Sequence, residues 1–229
     1  MKLLNGAVCR MSVEDGILRF WRHCLRNVFF GLNPQKRREK TKWLKKTGME
    51  FAEKIGIKPG DTVVDFGSGP GNYSIPIARL VGSSGMVYSV EKERLILGRL
   101  VRLTRKMGLN NISGVNSLEE LQTFLDGKRV NVTLFYDVLQ FMDEAERISL
   151  YRIAGEWTAP GGLISVYPKH TADNSPDRYF KNMTANDVCR EIESSGYQGG
   201  ESMVVDLWHG RGLESGKIWN FRKQGGEKA

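Results

Sequence analysis

Val63-Val-Asp-Phe-Gly-Ser-Gly-Pro-Gly-Asn72 decides the fold. Thr62–Phe66 is a short apolar run that reads as a strand. Three glycines at alternate positions follow it, and the stretch Asn72–Val81 reads as a helix. Glycine lets a turn backbone come close to a ligand at the carboxyl edge of a parallel sheet, where α/β folds bind nucleotides. Left unused, that freedom costs about 0.5–1 kcal/mol per glycine, which disfavours an idle turn. Glu91, at the end of the next apolar run, Met86–Val90, supplies an acid where a ribose diol would be held. A dinucleotide fingerprint needs G-x-G-x-x-G, but here the third glycine arrives one position early, at Gly71, and Asn72 stands in its place. No Gly-Lys-Ser or Gly-Lys-Thr follows, so a phosphate-binding P-loop is excluded. Asp65 puts a negative charge beside the turn, poor for a pyrophosphate and good for a cation.

Outward from this stretch, strands alternate with helices. After Met86–Val90 come a helix over Arg94–Met107, a strand at Ile112–Val115, a helix over Leu118–Leu125 and a strand at Val130–Tyr136. A helix over Asp143–Thr158 then leads through Pro160-Gly-Gly to a fifth strand, Leu163–Tyr167. Thr184–Ser195 reads as a helix capped by Thr184. Met203–Leu207 and Ile218–Arg222 read as two last strands joined by a glycine-rich connection, with Trp208-His209-Gly-Arg-Gly212 a substrate loop or a wide turn. The pattern predicts an α/β fold: a Rossmann-like, seven-stranded, mainly parallel sheet with helices on both faces and one antiparallel strand. A helical extension precedes it. Residues 1–56 form that extension, 57–224 the ligand-binding domain and 225–229 a flexible tail.

On these residues the sequence resembles the class I S-adenosylmethionine-dependent methyltransferases, whose first motif is an acid followed by G-x-G-x-G. Asp65, Gly67, Gly69 and Gly71 match it position by position, and Glu91 matches the ribose-binding acid. The resemblance covers about residues 45–223, including Asn116-Ser117 after the third strand, Tyr136-Asp-Val-Leu-Gln-Phe141, the Pro160-Gly-Gly162 turn and a closing Ile-Trp-Asn-Phe-Arg strand. Two departures stand out: Asn116 replaces the usual acid, and Gln140 stands where many members have histidine. The resemblance implies that S-adenosylmethionine is the cofactor. It implies contacts from Asp65, Gly67, Ser68, Gly69, Gly71, Glu91, Asn116, Ser117 and Tyr136. Tyr73, just inside the first helix, either packs on the cofactor or fills the core between helix and sheet.

Methyl transfer needs alignment, exclusion of water and, for some acceptors, removal of a proton. Asp137 directly follows the fourth strand, and His170 lies just past the fifth, so these two are the candidate catalytic residues. Either is otherwise a loop residue or, for Asp137, a backbone or cofactor contact. His23 and His209 show no partner by spacing, and three histidines and three cysteines far apart in the chain make a zinc or iron site unexpected. Cys9, Cys24 and Cys189 are too few and too scattered for a disulfide framework.

The chain has 229 residues and a formal charge of +8. Residues 1–60 carry 14 Lys and Arg against 5 Asp and Glu, whereas the remainder is nearly balanced, at 20 against 21. Spacings of three and four among Ile17, Trp21, Leu25, Val28 and Leu32, with Arg19, Arg22 and Arg26 between them, predict a basic amphipathic helix. Asn33-Pro34 ends it and starts a second helix running to Ile55, with Trp43, Leu44, Phe51 and Ile55 inward. Such a segment meets an anionic membrane surface, a lipid-like acceptor, RNA phosphates or only solvent. For RNA, residues Lys36–Lys42 would join Arg99, Arg102, Arg105 and Lys106 in a basic track. No apolar run reaches the ~18–20 residues of a spanning helix, and the first residues lack the order of a secretory signal. These features lead us to expect a cytoplasmic location, with peripheral membrane contact as an option. The favoured function is methylation of a small molecule, with a lipid-like acceptor as one option, since within the family the chain most resembles the quinone- and small-metabolite-modifying members. RNA methylation and a non-catalytic cofactor-binding subunit are the alternatives.

Overall fold

The computed structural model describes residues 32–223. The predicted helix before Leu32, with Cys9, His23 and Cys24, and the tail from Gly225 lie outside the described residues. Asn33 caps α1 (Pro34–Lys42): its side chain accepts a hydrogen bond from the Lys36 amide at 2.9 Å, and Pro34 opens the first turn. A π-helical turn, Trp43–Thr47, joins α1 to α2 (Gly48–Lys54). The predicted inward residues Trp43, Leu44, Phe51 and Ile55 are all buried. Among the described residues no helix is long and apolar enough to cross a membrane.

The alternating elements follow as β1 (Thr62–Phe66), α3 (Ser74–Val81), β2 (Met86–Val90), α4 (Arg94–Lys106), β3 (Ile112–Val115), α5 (Leu118–Leu125) and β4 (Val130–Tyr136). Next come α6 (Glu144–Trp157), β5 (Thr158–Tyr167), α7 (Ala185–Ser194), β6 (Tyr197–His209) and β7 (Gly212–Lys223). The sheet order is β3-β2-β1-β4-β5-β7-β6. The neighbours from β3 to β5 pair in parallel, and β7 runs antiparallel to both β5 and β6. The expected seven-stranded sheet with one antiparallel strand is therefore present.

Successive residues of a strand face opposite sides, and β1 shows this directly. Val63 packs in a cluster with Trp43, Phe51, Ile75, Ile77 and Leu100, from the helices of one face. Val64 packs with Leu121, Leu150, Tyr151, Val188 and Ile192, from α5, α6 and α7 on the other. Both α6 and α7 open with a capping box, Asp143 with Glu146 and Thr184 with Asp187. Arg147, buried on α6, is held by Glu191 of α7 through two hydrogen bonds of 2.7 Å.

Three boundaries differ from the sequence reading. The helix after the glycine turn starts at Ser74, with Tyr73 in the capping position before it. Strand β5 starts at Thr158, because Pro160-Gly161-Gly162 forms an irregularity inside the strand, where the register with β4 shifts between Val130 and Val132. The last two strands are 13 and 12 residues long and form one hairpin closed by Gly210 and Arg211. Trp208 and His209 belong to β6, so the expected loop there is strand. Gly199 and Gly200, where the register shifts between Gln198 and Glu201, interrupt the alternation that marks a strand.

Gly71 lies at φ +83°, and a Cβ there would sit 2.3 Å from Cδ1 of the buried Leu100. Gly71→Ala is expected to lower stability by about 1–3 kcal/mol, through overpacking against α4. Urea unfolding with an unchanged m-value would check it, and parental stability would mean that α4 yields freely.

Candidate active site

The glycine turn connects the carboxyl end of β1 to α3. Gly67, Gly69 and Gly71 all adopt positive φ, which the chain needs to fold back over the strand end. The turn is anchored to β2, since the amides of Gly67 and Ser68 both donate to the Val90 carbonyl, at 2.9 and 3.0 Å. Glu91 braces it further: one carboxylate oxygen accepts from the Gly69 amide at 3.0 Å and the other from the Glu93 amide at 2.8 Å. Glu91 is buried, and desolvation pushes its pKa up to about 7 despite those two amides.

Two cavities meet at the turn, sharing Gly67, Val138 and Phe141. One, of about 470 Å³, is lined by Val90, Glu91, Asn116, Ser117, Met142 and Tyr179, among others. The other, of about 320 Å³, is lined by Ser68, Gly69, Tyr73, Tyr136, Trp208 and a polar group described below. The Ser68 hydroxyl is buried without a hydrogen-bond partner. An added Cβ on Gly67 would come within 2.7 Å of Val138, so where both cavities are lined by these two residues only glycine fits.

Most of the site residues expected from sequence meet here. Gly67, Ser68, Gly69, Tyr73, Tyr136, Asp137 and His170 line the smaller cavity, and Gly67, Glu91, Asn116 and Ser117 the larger. Two do not. Asp65 lies beneath the turn and lines neither cavity; it accepts a 2.5 Å hydrogen bond from the Ser74 hydroxyl and so ties β1 to the start of α3. Burial, partly offset by Ser74, pushes its pKa up to about 6. Gly71 also lines neither cavity and serves the contact with α4. Asn116 spends its amide group on the carbonyls of Glu91 and Lys92, at 3.0 and 2.8 Å, bracing the strand end. Ser117 caps α5. Of the two roles weighed for it, Tyr73 fills the core between helix and sheet, its ring 4.9 Å from that of Tyr136 and its hydroxyl donating to the Trp208 carbonyl at 2.8 Å, while it also lines the smaller cavity.

Asp137, His170 and His209 form the polar group of the smaller cavity. They stand just beyond β4, just beyond β5 and at the end of β6, strands that run in one direction and so present their ends at one edge. His209 Nδ1 lies 3.0 Å from one Asp137 oxygen, and His170 Nε2 lies 3.5 Å from the other. Burial works against charge on His209, but the hydrogen bond and charge of Asp137 outweigh it, and the imidazole pKa is raised. Gln140 donates to Asp137 at 2.7 Å and fixes the carboxylate. Asp137 and His170 both hold left-handed backbone, φ +53° and +68°, the kind of local strain that folds retain where a side chain must be aimed.

Lys40, like His209, is a cavity residue that the sequence does not single out. It looks like one charge in a basic run, yet it is buried, donates to the Asn72 side chain and sits 4.8 Å over the Trp208 ring. Desolvation lowers its pKa to about 8. Trp43 donates to the Asn72 carbonyl at 2.7 Å, so α1 and the following turn dock on the glycine turn and wall the smaller cavity. Lys40 is thereby removed from any basic track over α1.

Comparison with known proteins bears on the fold and on the stretch around the glycine turn. Residues 41–118, about a third of the chain, match the family Protein-L-isoaspartate(D-aspartate) O-methyltransferase. A probable cobalt-precorrin-6B C(15)-methyltransferase (decarboxylating) of Saccharolobus solfataricus is 43% identical over 60 residues, 26% of this chain and 30% of that one. A ribosomal RNA large subunit methyltransferase E of Marinobacter nauticus is 25% identical over 162 residues, 69% of this chain and 60% of that one. The aligned stretches span between 11% and 60% of the curated relatives' own lengths. Magnesium protoporphyrin IX methyltransferase from Synechocystis PCC 6803, with bound SAM, superposes with a TM-score of 0.64 at 13% identity, covering 96% of this chain and 100% of that one. This is the class I methyltransferase fold. In class I methyltransferases the cofactor is S-adenosylmethionine, and the site here fits it: a buried acid and a polar strand end beside the larger cavity, a glycine shared by both cavities where a Cβ would meet Val138, and an unsatisfied Ser68 hydroxyl at the smaller one.

Proposed function

We propose that the chain is an S-adenosylmethionine-dependent methyltransferase acting on a small molecule. The observation that carries this reading is the pair of cavities meeting at Gly67, one ending on buried Glu91 and the other on Asp137, His170 and His209. Glu91 would accept both ribose hydroxyls, and the turn amides and Ser68 would meet the amino-acid end. When bound, the sulfonium supplies a methyl group activated for displacement, its sulfur keeping the electron pair of the broken bond. Tyr73, Tyr136 and Trp208 exclude water and leave room for a compact acceptor. With no metal in the site, the His209 imidazole, held by Asp137, would take up the proton that the acceptor loses as it is methylated.

Lys40 of α1 and Trp208, His209 and Gly210 of the β6–β7 hairpin wall a cavity of about 320 Å³, a size that supports a small acceptor over RNA. Lys40, turned inward over Trp208, adds a cation that favours an acceptor with an acidic or phenolic group. The test is methyl-labelled S-adenosylmethionine with the full chain, offered small phenols, carboxylates and thiols in one arm and total RNA in another. Transfer into the small acceptors at a rate insensitive to salt is the expected result. Transfer to RNA alone, falling steeply with salt, would overturn the small-molecule reading. No binding of the cofactor by calorimetry would overturn the activity itself.

A further inference from the structure

We propose that Asp137, His170 and His209 form a binding site for one divalent transition-metal ion, of the zinc or cobalt class, at the acceptor end of the smaller cavity. The donor set is two imidazoles and one carboxylate, which suits such ions. One ligand atom from each of the three lies within 4.8 Å of the other two. Ligands about 2.0–2.1 Å from a tetrahedral centre stand about 3.3–3.4 Å apart. His209 Nδ1 lies 3.0 Å from Asp137 Oδ2 and His170 Nε2 lies 3.5 Å from Asp137 Oδ1, so each imidazole stands near that spacing from its own carboxylate oxygen, and small shifts would bring all three onto one ion.

The tautomer of His170 argues for a cation in this space. Its Nδ1 lies 2.9 Å from the Ser175 carbonyl, which only accepts, so Nδ1 carries the proton. In the neutral ring Nε2 then presents a bare lone pair to Asp137 Oδ1, and two lone pairs face each other across 3.5 Å. Either a proton on Nε2, making an imidazolium–carboxylate pair, or a metal ion between the two makes that arrangement favourable, and the ion serves both lone pairs at once. A ring N–H on a backbone carbonyl and a hydrogen-bonded carboxylate are also the outer contacts that orient metal ligands, and Ser175 and Gln140 provide both. The charged groups around the cluster are already engaged: Lys169 and the Tyr167 hydroxyl bind Glu214, at 2.8 and 2.5 Å, and Lys40 binds Asn72. All three residues line the smaller cavity, so a bound ion would have a further position open to it.

Binding of the ion stands on the cluster alone, whereas its use in the reaction rests on the methyl-transfer reading. There the ion would hold an acceptor oxygen, nitrogen or sulfur through its open position and ease loss of the acceptor's proton to solvent, with the imidazoles serving as ligands.

The experiment is titration of the full-length chain with Co²⁺, read by visible absorption and by equilibrium dialysis, with S-adenosylmethionine affinity measured in parallel. One ion per chain is expected, with ligand-field bands typical of low coordination. His170→Asn, which suits the left-handed backbone there, and His209→Gln should each weaken binding more than about 100-fold, and Gln140→Leu about 10–100-fold. Circular dichroism of each variant confirms folding. No stoichiometric uptake, or undiminished uptake by the folded His170→Asn/His209→Gln double variant, would overturn the site. Loss of cofactor binding in the parent chain would instead strike the methyltransferase reading, with the cobalt result still standing.

Discussion

Replacing Glu91 with glutamine is expected to weaken S-adenosylmethionine binding on the order of 10³-fold, from two lost charge-assisted hydrogen bonds worth about 1.5–3 kcal/mol each. The two Glu91 oxygens already accept amides from Gly69 and Glu93, so each has one direction left for a ribose hydroxyl. In glutamine the amide nitrogen would confront one of those N–H groups, donor against donor. Isothermal calorimetry measures the loss, and parental affinity in the variant would remove Glu91 from the site. The parent should also bind in a pH-dependent manner. Without ligand the Glu91 carboxyl titrates near 7, well above the ordinary glutamate value of 4.5. A diol must donate to the anion, so binding releases a proton below that value, and affinity falls up to tenfold per pH unit from about 7 towards 5. The sign for stability is opposite. The folded state binds its proton more tightly than the unfolded one, so this contribution is complete below about 4.5 and is lost as pH rises through about 7. Thermal melts across that range, with and without cofactor, should therefore diverge as pH rises.

The sheet and the glycine turn were legible because their signals are local. Val63 and Val64 are both apolar, as a strand covered on both faces requires, and the glycines stand where the chain must reverse. Contacts between distant segments were not legible. Lys40 belongs to a charge run that reads as solvated, and its burial depends on Trp208 arriving from the other end of the chain. His209 carries no motif. It reaches Asp137 only because β6 is long enough to end at the same edge as β4, and the glycines near its start hid that length. Asp65 and Gly71 illustrate the converse. The motif is there position by position, but the carboxylate is spent on Ser74 and the glycine on Leu100. A motif records which residues a turn needs, and only the packed structure separates those facing the ligand from those holding the turn in place.

Asp137→Asn is expected to lower kcat by about 10²–10⁴-fold while leaving S-adenosylmethionine affinity within about twofold. Asparagine tolerates the left-handed conformation that residue 137 holds at φ +53°, so the backbone carries no new strain, as it would with alanine. The amide is as large as the carboxylate and can still accept from Gln140. What disappears is the negative charge between two imidazoles, at 3.0 and 3.5 Å, and with it the means of stabilising either an imidazolium or a bound cation. Both routes to acceptor activation therefore fail together in this variant, whereas Glu91 and the turn amides hold the cofactor as before. Single-turnover transfer from preloaded enzyme separates the two effects. A normal rate in that assay would make Asp137 a structural residue and would leave proton removal to the imidazoles of His170 and His209 without its help, or to Lys40, which lines the same cavity with a pKa lowered to about 8.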